Sequence, residues 1–293
     1  MTCRSLSPKD ILDVAFAFRR SKTLLTAVEL GIFGVLAAQP RAAGPLAGHL
    51  GLHGRGTEDF FDALVALGML TRDGAGMYAN TAEAAAYLDP RAEDYIGDAL
   101  IRVSNRIYGN WQHLGAALHT GRPQSGAFGA GGYDALFADA HSTETFLRGM
   151  TGTSLLFARA LAVSFPWEEL LSVVDIGTAE GCVPVHLARC HPHLTVAGYD
   201  LPCVEPFFRR YVARQGLSDL LFHTGNFLTE PLPGADAMIM SRILYNWGLP
   251  TKRMLLEKAY AALPAGGSLI VCETLIDDAR QNNSTPCSPA CLC

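Results

Sequence analysis

Apolar residues recur at helical spacing through the first third of the chain and in short continuous runs through the last. Over 11–38, Leu12, Ala15, Phe16, Leu24, Leu25, Val28, Leu30, Ile32, Phe33, Val35 and Leu36 form helix-like groups, broken at Gly31 and ended by Pro40. A short helix is expected around 45–50 and a longer one over 57–67, capped by Thr57 and stopped at Gly68. Residues 69–78 read as two short strands about the Asp73-Gly74 turn. Three helices and a β-hairpin in that order predict a winged helix. Residues 92–121 return to helical spacing, and the Gly-rich stretch 123–132 reads as a loop.

From Leu170 the rhythm changes. Apolar runs at 172–176, 194–199, 220–223, 235–241 and 268–274, each but the last followed by a helical or turn segment, read as strands. Such alternation predicts a parallel, doubly wound sheet with helices on both faces. Its ligands bind at the carboxyl ends of the strands.

Composition fits this picture: of 293 residues, 49% are hydrophobic and 17% charged, enough to bury a large core. No apolar run approaches the ~18 residues of a spanning helix, and Met1-Thr2-Cys3-Arg4-Ser5 lacks the apolar core of a signal peptide. A soluble, cytoplasmic protein without a membrane partner is expected. The net charge of −5 gives no reason to bind a polyanion. The third helix opens Thr57-Glu58-Asp59-Phe60-Phe61-Asp62, carboxylates where a DNA reader carries basic or amide side chains. Residues 1–110 hold 11 Lys or Arg against 12 Asp or Glu. The winged helix is therefore read as a self-association module, and no nucleic-acid partner is expected. Of eight cysteines, Cys3, Cys182, Cys190, Cys203 and Cys272 are dispersed, and Cys287, Cys291 and Cys293 cluster without a histidine, so no metal site is expected.

Three segments carry candidate chemistry. Asp175-Ile176-Gly177-Thr178-Ala179-Glu180-Gly181 joins the first strand to a helix, where Gly177 and Gly181 allow a sharp turn and close approach to a ligand. Such turns are also common structural joints, and the full G-x-G-x-x-G fingerprint is absent. Asp200, in Tyr199-Asp200-Leu201-Pro202, ends the second strand 25 residues after Asp175 and could accept both ribose hydroxyls of an adenosine. Gly225-Asn226-Phe227, after the third strand, could set an amide and an aromatic ring against adenine.

Together with Ser241-Arg242-Ile243-Leu244-Tyr245-Asn246-Trp247 and Pro264-Ala265-Gly266-Gly267, these segments resemble the S-adenosylmethionine-dependent small-molecule O-methyltransferases. The resemblance runs to about Arg280. It implies an α/β fold: a Rossmann-like class I methyltransferase domain with an N-terminal α-helical winged-helix dimerisation domain. It further implies S-adenosyl-L-methionine as cofactor, a small-molecule acceptor and a homodimer. On it, Asp175, Gly177, Gly181, Asp200, Leu201, Asn226, Phe227, Ser241 and Arg242 attend the cofactor. Tyr245 and Asn246 stand at the reaction centre, and Tyr108, Trp111 and Met150 line the acceptor pocket.

The chain departs from the family pattern at three places. Thr178 and Ala179 replace glycines of the cofactor loop, and Asn226 replaces an aspartate. Tyr245 stands where many members carry the histidine that deprotonates the acceptor. A tyrosine, with an ordinary pKa of about 10, is a poor base at neutral pH. Methyl transfer can still proceed by alignment of the reactants. An acidic phenol-like acceptor, or catalysis by proximity with Tyr245 as an orienting group, is therefore expected. Transfer to nitrogen or carbon, or a non-catalytic cofactor-binding dimer, are the alternatives.

The expected organisation is a dimerisation domain over 1–105, a helical linker over 106–165, a cofactor-binding domain over 166–280 and an atypical tail over 281–293. The Pro- and Cys-rich tail breaks both periodicities and is read as the product of a C-terminal truncation or frame shift. That reading would leave the last strand an unpaired edge.

Overall fold

The structure is a computed structural model that describes residues 6–122, 124, 137, 139–275 and 278. The loop expected at 123–132, residue 124 aside, and the tail with Cys287, Cys291 and Cys293 lie outside the described residues. The chain divides into two compact units, Met1–Ile107 and Tyr108–Cys293.

The first unit opens with helix α1 (Pro8–Glu29). The Ser7 hydroxyl accepts from the Asp10 amide while the Asp10 carboxylate takes the Ser7 N–H, and Pro8 fills the first turn, where no amide is needed. Gly31, in the left-handed region, turns the chain into α2 (Ile32–Ala38). There follow β1 (Arg41–Ala42), α3 (Ala43–His49), α4 (Thr57–Ala66), β2 (Leu70–Arg72), β3 (Met77–Asn80), α5 (Ala82–Leu88) and α6 (Gly97–Arg102). The hairpin about Asp73-Gly74 forms, and β1, which no sequence signal announces, pairs antiparallel with β3 to give the order β1-β3-β2. Phe33, Leu46, Phe61, Leu64 and Tyr78 fill the core.

The α4 carboxylates face the hairpin. Arg72 pairs with Glu58 at 2.7 Å and Asp62 at 3.1 Å, and the Tyr78 hydroxyl donates to Asp62 at 2.6 Å. Burial and that carboxylate push the Tyr78 phenol up to about 12. Arg72, the basic residue on the hairpin, is thus committed to this unit's own acids. The first half of α1 buries little of its apolar stripe: Ile11, Leu12, Val14, Phe16 and Phe18 are all exposed.

The helical run 92–121 is broken in the structure. After α6 come a π-helical turn (Val103–Tyr108), a 3-10 turn (Trp111–His113) and α7 (Leu114–Thr120), which ends at left-handed Gly121. The second unit continues with α8 (Ala140–Ser164), whose first amides are capped by Asp139. Next are β4 (Ser172–Ile176), α9 (Cys182–Cys190), β5 (Thr195–Asp200), α10 (Glu205–Arg214), β6 (Leu221–Thr224), β7 (Ala237–Ser241), α11 (Leu249–Ala262) and β8 (Ser268–Cys272).

Among the described residues the five strands run parallel in the order β6-β5-β4-β7-β8. Val173, Val174, Ile176, Val196, Ala197, Ala237, Met238, Ile239 and Met240 are buried, as the continuous apolar runs require of strands covered on both faces. Progression reverses between β4 and β7, which opens a crevice above their carboxyl ends. β8 is an edge of the described sheet, with Val271 43% exposed.

No single helix among the described residues is long and apolar enough to cross a membrane.

Candidate active site

The crevice is bounded by the turns that leave β4, β5, β6, β7 and β8. After Ile176, Gly177 adopts φ +71° and donates its amide to the Tyr199 carbonyl at 2.8 Å; Gly181 adopts φ +95° at the start of α9. Both positions need glycine twice over. A Cβ at Gly177 would lie 2.5 Å from Ile243 Cδ1, and one at Gly181 would lie 2.6 Å from the Phe208 ring.

Between them Ala179 is left-handed at φ +54°, a conformation that costs a residue with a Cβ about 1–2 kcal/mol. That strain aims an amide. The Ala179 N–H donates to Asp200 Oδ2 at 2.9 Å, and the Leu201 N–H donates to Oδ1 at 2.8 Å. The carboxylate closing β5 is thereby locked against the β4–α9 turn. Burial pushes Asp200 up to about 6 against those two bonds. Asp175, buried inside β4, is raised to about 7, mainly by burial; the Thr178 hydroxyl opposes the rise and the Asp200 charge adds to it.

α8 is tied to the same turn. The Thr151 hydroxyl donates to Glu180 Oε2 at 2.8 Å, and the Arg242 guanidinium donates to the Thr153 hydroxyl. Met150 of α8 is half-buried, its carbonyl accepting from the Thr153 hydroxyl at 2.9 Å. Glu180 is 1% exposed; burial raises its carboxyl, while Thr151 and the charges of Arg214, Arg148 and Arg210 counter that.

After β6, the Asn226 side-chain oxygen accepts from the Leu228 amide at 2.9 Å, which leaves Nδ2 as the donor available to a ligand. Phe227 packs edge-on against Trp247 at 6.1 Å. Lys258 of α11 donates to the Phe227 and Glu230 carbonyls, at 2.9 Å each, and fixes this loop from outside. Tyr199 lies beneath Gly225, where a Cβ would meet its hydroxyl at 2.4 Å.

Beyond β7, Arg242 is left-handed at φ +59° and its amide donates to the Cys272 carbonyl at 3.0 Å. A 3-10 turn (Leu244–Asn246) follows. Asn246 spends its Nδ2 on the Arg242 carbonyl at 3.0 Å, so it braces the turn. The Tyr245 amide donates to Glu273 Oε1 at 3.0 Å. Tyr108 and Trp111 stand half-buried on the two short turns before α7, and none of these hydrogen bonds reaches them.

The family relationship is decided by comparison with known proteins. A model of the O-methyltransferase domain matches residues 111–288 and one of the O-methyltransferase dimerisation domain matches residues 12–90. The chain belongs to the O-methyltransferase family. The tetracenomycin polyketide synthesis 8-O-methyl transferase TcmO of Streptomyces glaucescens is 38% identical over 94% of this chain and 81% of its own. The N,N-dimethyltransferase OxyT of Streptomyces rimosus is 35% identical over 95% of this chain and 83% of its own. Human N-acetylserotonin methyltransferase, solved in complex with SAM, superposes with a TM-score of 0.85 at 26% identity, over 96% of this chain and 84% of that one.

This O-methyltransferase is an enzyme whose cofactor is S-adenosylmethionine. Its crevice suits the group. Among the described residues Ser241 Oγ at the end of β7, the Tyr199 hydroxyl of β5 and Glu180 Oε1 in the β4–α9 turn are buried without a hydrogen-bond partner. Three contributors are hard to find in the sequence. Glu273, Thr151 and Lys258 carry no motif, and each gains its place only through packing between elements far apart in the chain.

Proposed function

We propose that this methyltransferase transfers the methyl group of S-adenosylmethionine to a hydroxyl of a small aromatic or polycyclic natural-product acceptor, as a cytoplasmic enzyme of secondary metabolism. The observation that carries the reading is the Asp200 carboxylate, held at the carboxyl end of β5 by the Ala179 and Leu201 amides. The bound cofactor supplies an electrophilic methyl on a sulfonium, so the chain's own task is chiefly to bind and align. Asp200 would accept from the ribose hydroxyls, with Leu201 beside it. Asp175 supports the turn from within β4, and Gly177 to Gly181 lie against the methionine moiety. Asn226 Nδ2 and Phe227 would address the adenine, while Ser241 and Arg242 close the far side.

Tyr108, Trp111 and Met150 are assigned to the acceptor pocket, and Tyr245 and Asn246 to the wall at which the acceptor oxygen is oriented. TcmO, an 8-O-methyl transferase of polyketide synthesis, supports the acceptor class. OxyT, nearly as similar, is an N,N-dimethyltransferase and favours a second reading, transfer to an amine. Product analysis with a panel of polycyclic phenols and matched amines separates the two. A methyl ether is expected, and N-methyl products alone would replace the first reading by the second.

We further assign residues 1–105 to homodimer formation, with a helical linker over 106–165 and the catalytic domain after it. The exposed Ile11, Leu12, Val14, Phe16 and Phe18 of α1 support that assignment, since five large apolar side chains on one helix call for a cover. Sedimentation of wild type against a chain with Val14 and Phe18 changed to Ser tests it. A shift from dimer to monomer is expected, and a monomeric wild type would end the assignment.

A further inference from the structure

Transfer by alignment needs something that fixes the cofactor turn and the turn after β7 at one separation. The two turns meet directly through Ile243, which packs against Gly177. That apolar contact is non-directional, so it limits approach without fixing register.

α8 supplies the directional bonds. Gly149-Met150-Thr151-Gly152-Thr153 is its weakest stretch, two glycines and two threonines in five residues, yet the helix runs through it unbroken. Helical threonines ordinarily turn their hydroxyls back on a carbonyl three or four residues earlier. Thr151 reaches across instead. Its hydroxyl lies 3.3 Å from the Leu147 carbonyl but 2.8 Å from Glu180 Oε2, and its single hydrogen goes to the carboxylate. Glu180 is buried, and among the described residues its Oε1 takes no hydrogen bond, so the Thr151 hydroxyl ties that carboxyl, and the β4–α9 turn with it, to α8.

Thr153 serves the other turn. It donates to the Met150 carbonyl at 2.9 Å and accepts from the Arg242 guanidinium. Arg242 opens the turn after β7: its amide bonds the Cys272 carbonyl and its carbonyl takes the Asn246 side chain, at 3.0 Å each. Residues two apart on a helix stand about 200° apart around its axis, so the two hydroxyls leave α8 in different directions, one to each turn.

We propose that Thr151 and Thr153 are positioning residues, through which α8 sets the distance and angle between the β4–α9 turn, where the cofactor's methionine moiety lies, and the turn after β7, which carries Tyr245. The inference rests on the methyl-transfer reading above and holds whether oxygen or nitrogen is methylated. The hydroxyls need touch neither substrate. They hold the arrangement in which sulfur, methyl carbon and acceptor atom lie in line, where a displacement of about 1 Å costs on the order of 10²-fold in rate.

Thr151→Val, Thr153→Val and the double variant remove the bonds at nearly constant volume, and Thr151→Ser and Thr153→Ser keep the hydroxyls. With both substrates saturating, kcat is expected to fall about tenfold or more in each single Val variant, while S-adenosylhomocysteine binds within about threefold of wild type by calorimetry and each Ser variant retains most of the rate. A strut fails when either end is released, so the double variant should lose about as much as the worse single variant and not the product of the two. The second readout needs no turnover. In the cofactor-free protein, hydrogen exchange at the Asn246 amide, which bonds the Ile243 carbonyl at 3.3 Å, is expected to be about threefold or more faster in Thr151→Val, although Thr151 bonds the other turn. Asn246 is part-exposed and its amide exchanges by local opening, which a loss of global stability alone leaves unmoved.

An unmoved kcat in both Val variants, losses that multiply in the double variant, an affinity that falls as far as the rate, or unmoved exchange at Asn246 would overturn the proposal. Thr153 is exposed, so Thr153→Val and Thr153→Ser carry the kinetic test alone if Thr151→Val does not fold. Wild type that binds S-adenosylhomocysteine yet methylates neither phenols nor amines would overturn the methyl-transfer reading itself, and this proposal with it.

Discussion

Asp175 gives the most quantitative handle on the site. Buried within β4 and raised from its ordinary 3.8 to about 7, it is an acid whose folded form holds its proton more tightly than the unfolded chain does. The folded state therefore binds more protons than the unfolded state between those two values, and stability falls as pH rises through that window. Asp175→Asn removes the titration while keeping the shape of the side chain. Any constant cost of the substitution is the same at every pH, so the informative quantity is the change in the difference between the two proteins. Worked through the linkage relation, that change is about 2 kcal/mol in favour of the variant between about pH 5.5 and about pH 8.5. Urea unfolding of the cofactor-free proteins at the two pH values measures it directly. A difference that stays flat, or that moves in favour of wild type as pH rises, would refute the reasoning.

The remaining predictions concern the turn and its brace. Ala179→Gly releases a left-handed Cβ at φ +54° and should raise stability by up to about 1 kcal/mol in urea unfolding, after the greater freedom of the unfolded chain is set against it. A loss of that size would show that the strain is absent. Gly181→Ala combines φ +95° with a Cβ 2.6 Å from the Phe208 ring, so a loss of about 2 kcal/mol or more and a large fall in cofactor affinity are expected by calorimetry. Full affinity in that variant would contradict the close-approach argument. Thr151→Val removes the hydrogen bond to the buried Glu180 carboxyl, at a cost of about 1–3 kcal/mol by thermal melting, with Thr151→Ser largely restoring it.

The sequence was most readable where backbone geometry depends on residue type. Gly177, Gly181 and the Asp73-Gly74 turn mark their own positions, because few residues tolerate those conformations, and the continuous apolar runs of β4 and β7 announce strands covered on both faces. Asp200 ends β5, as the alternation of apolar runs leads one to expect. What the pattern could not supply depends on tertiary pairing. β1 is two residues long and exists because β3 offers an edge. Ala179 is not a residue type that signals a left-handed turn, yet it adopts one and its amide bonds Asp200 from there. Glu273 acquires meaning only when β8 docks beside β7. Apolar periodicity located α1 well but could not tell that Val14 and Phe18 face outward, since spacing marks an apolar stripe without saying what covers it.

The central claim is that Asp200, locked by the Ala179 and Leu201 amides, holds the cofactor. Thermal melting of wild type and Asp200→Ala with S-adenosylhomocysteine is the most direct measurement. At ~100 times the dissociation constant the ligand should add about 2.7 kcal/mol to wild type, a rise of several degrees, and nothing to the variant. Near-normal stabilisation of Asp200→Ala, or a cooperative wild-type melt that ignores the ligand, would contradict the account.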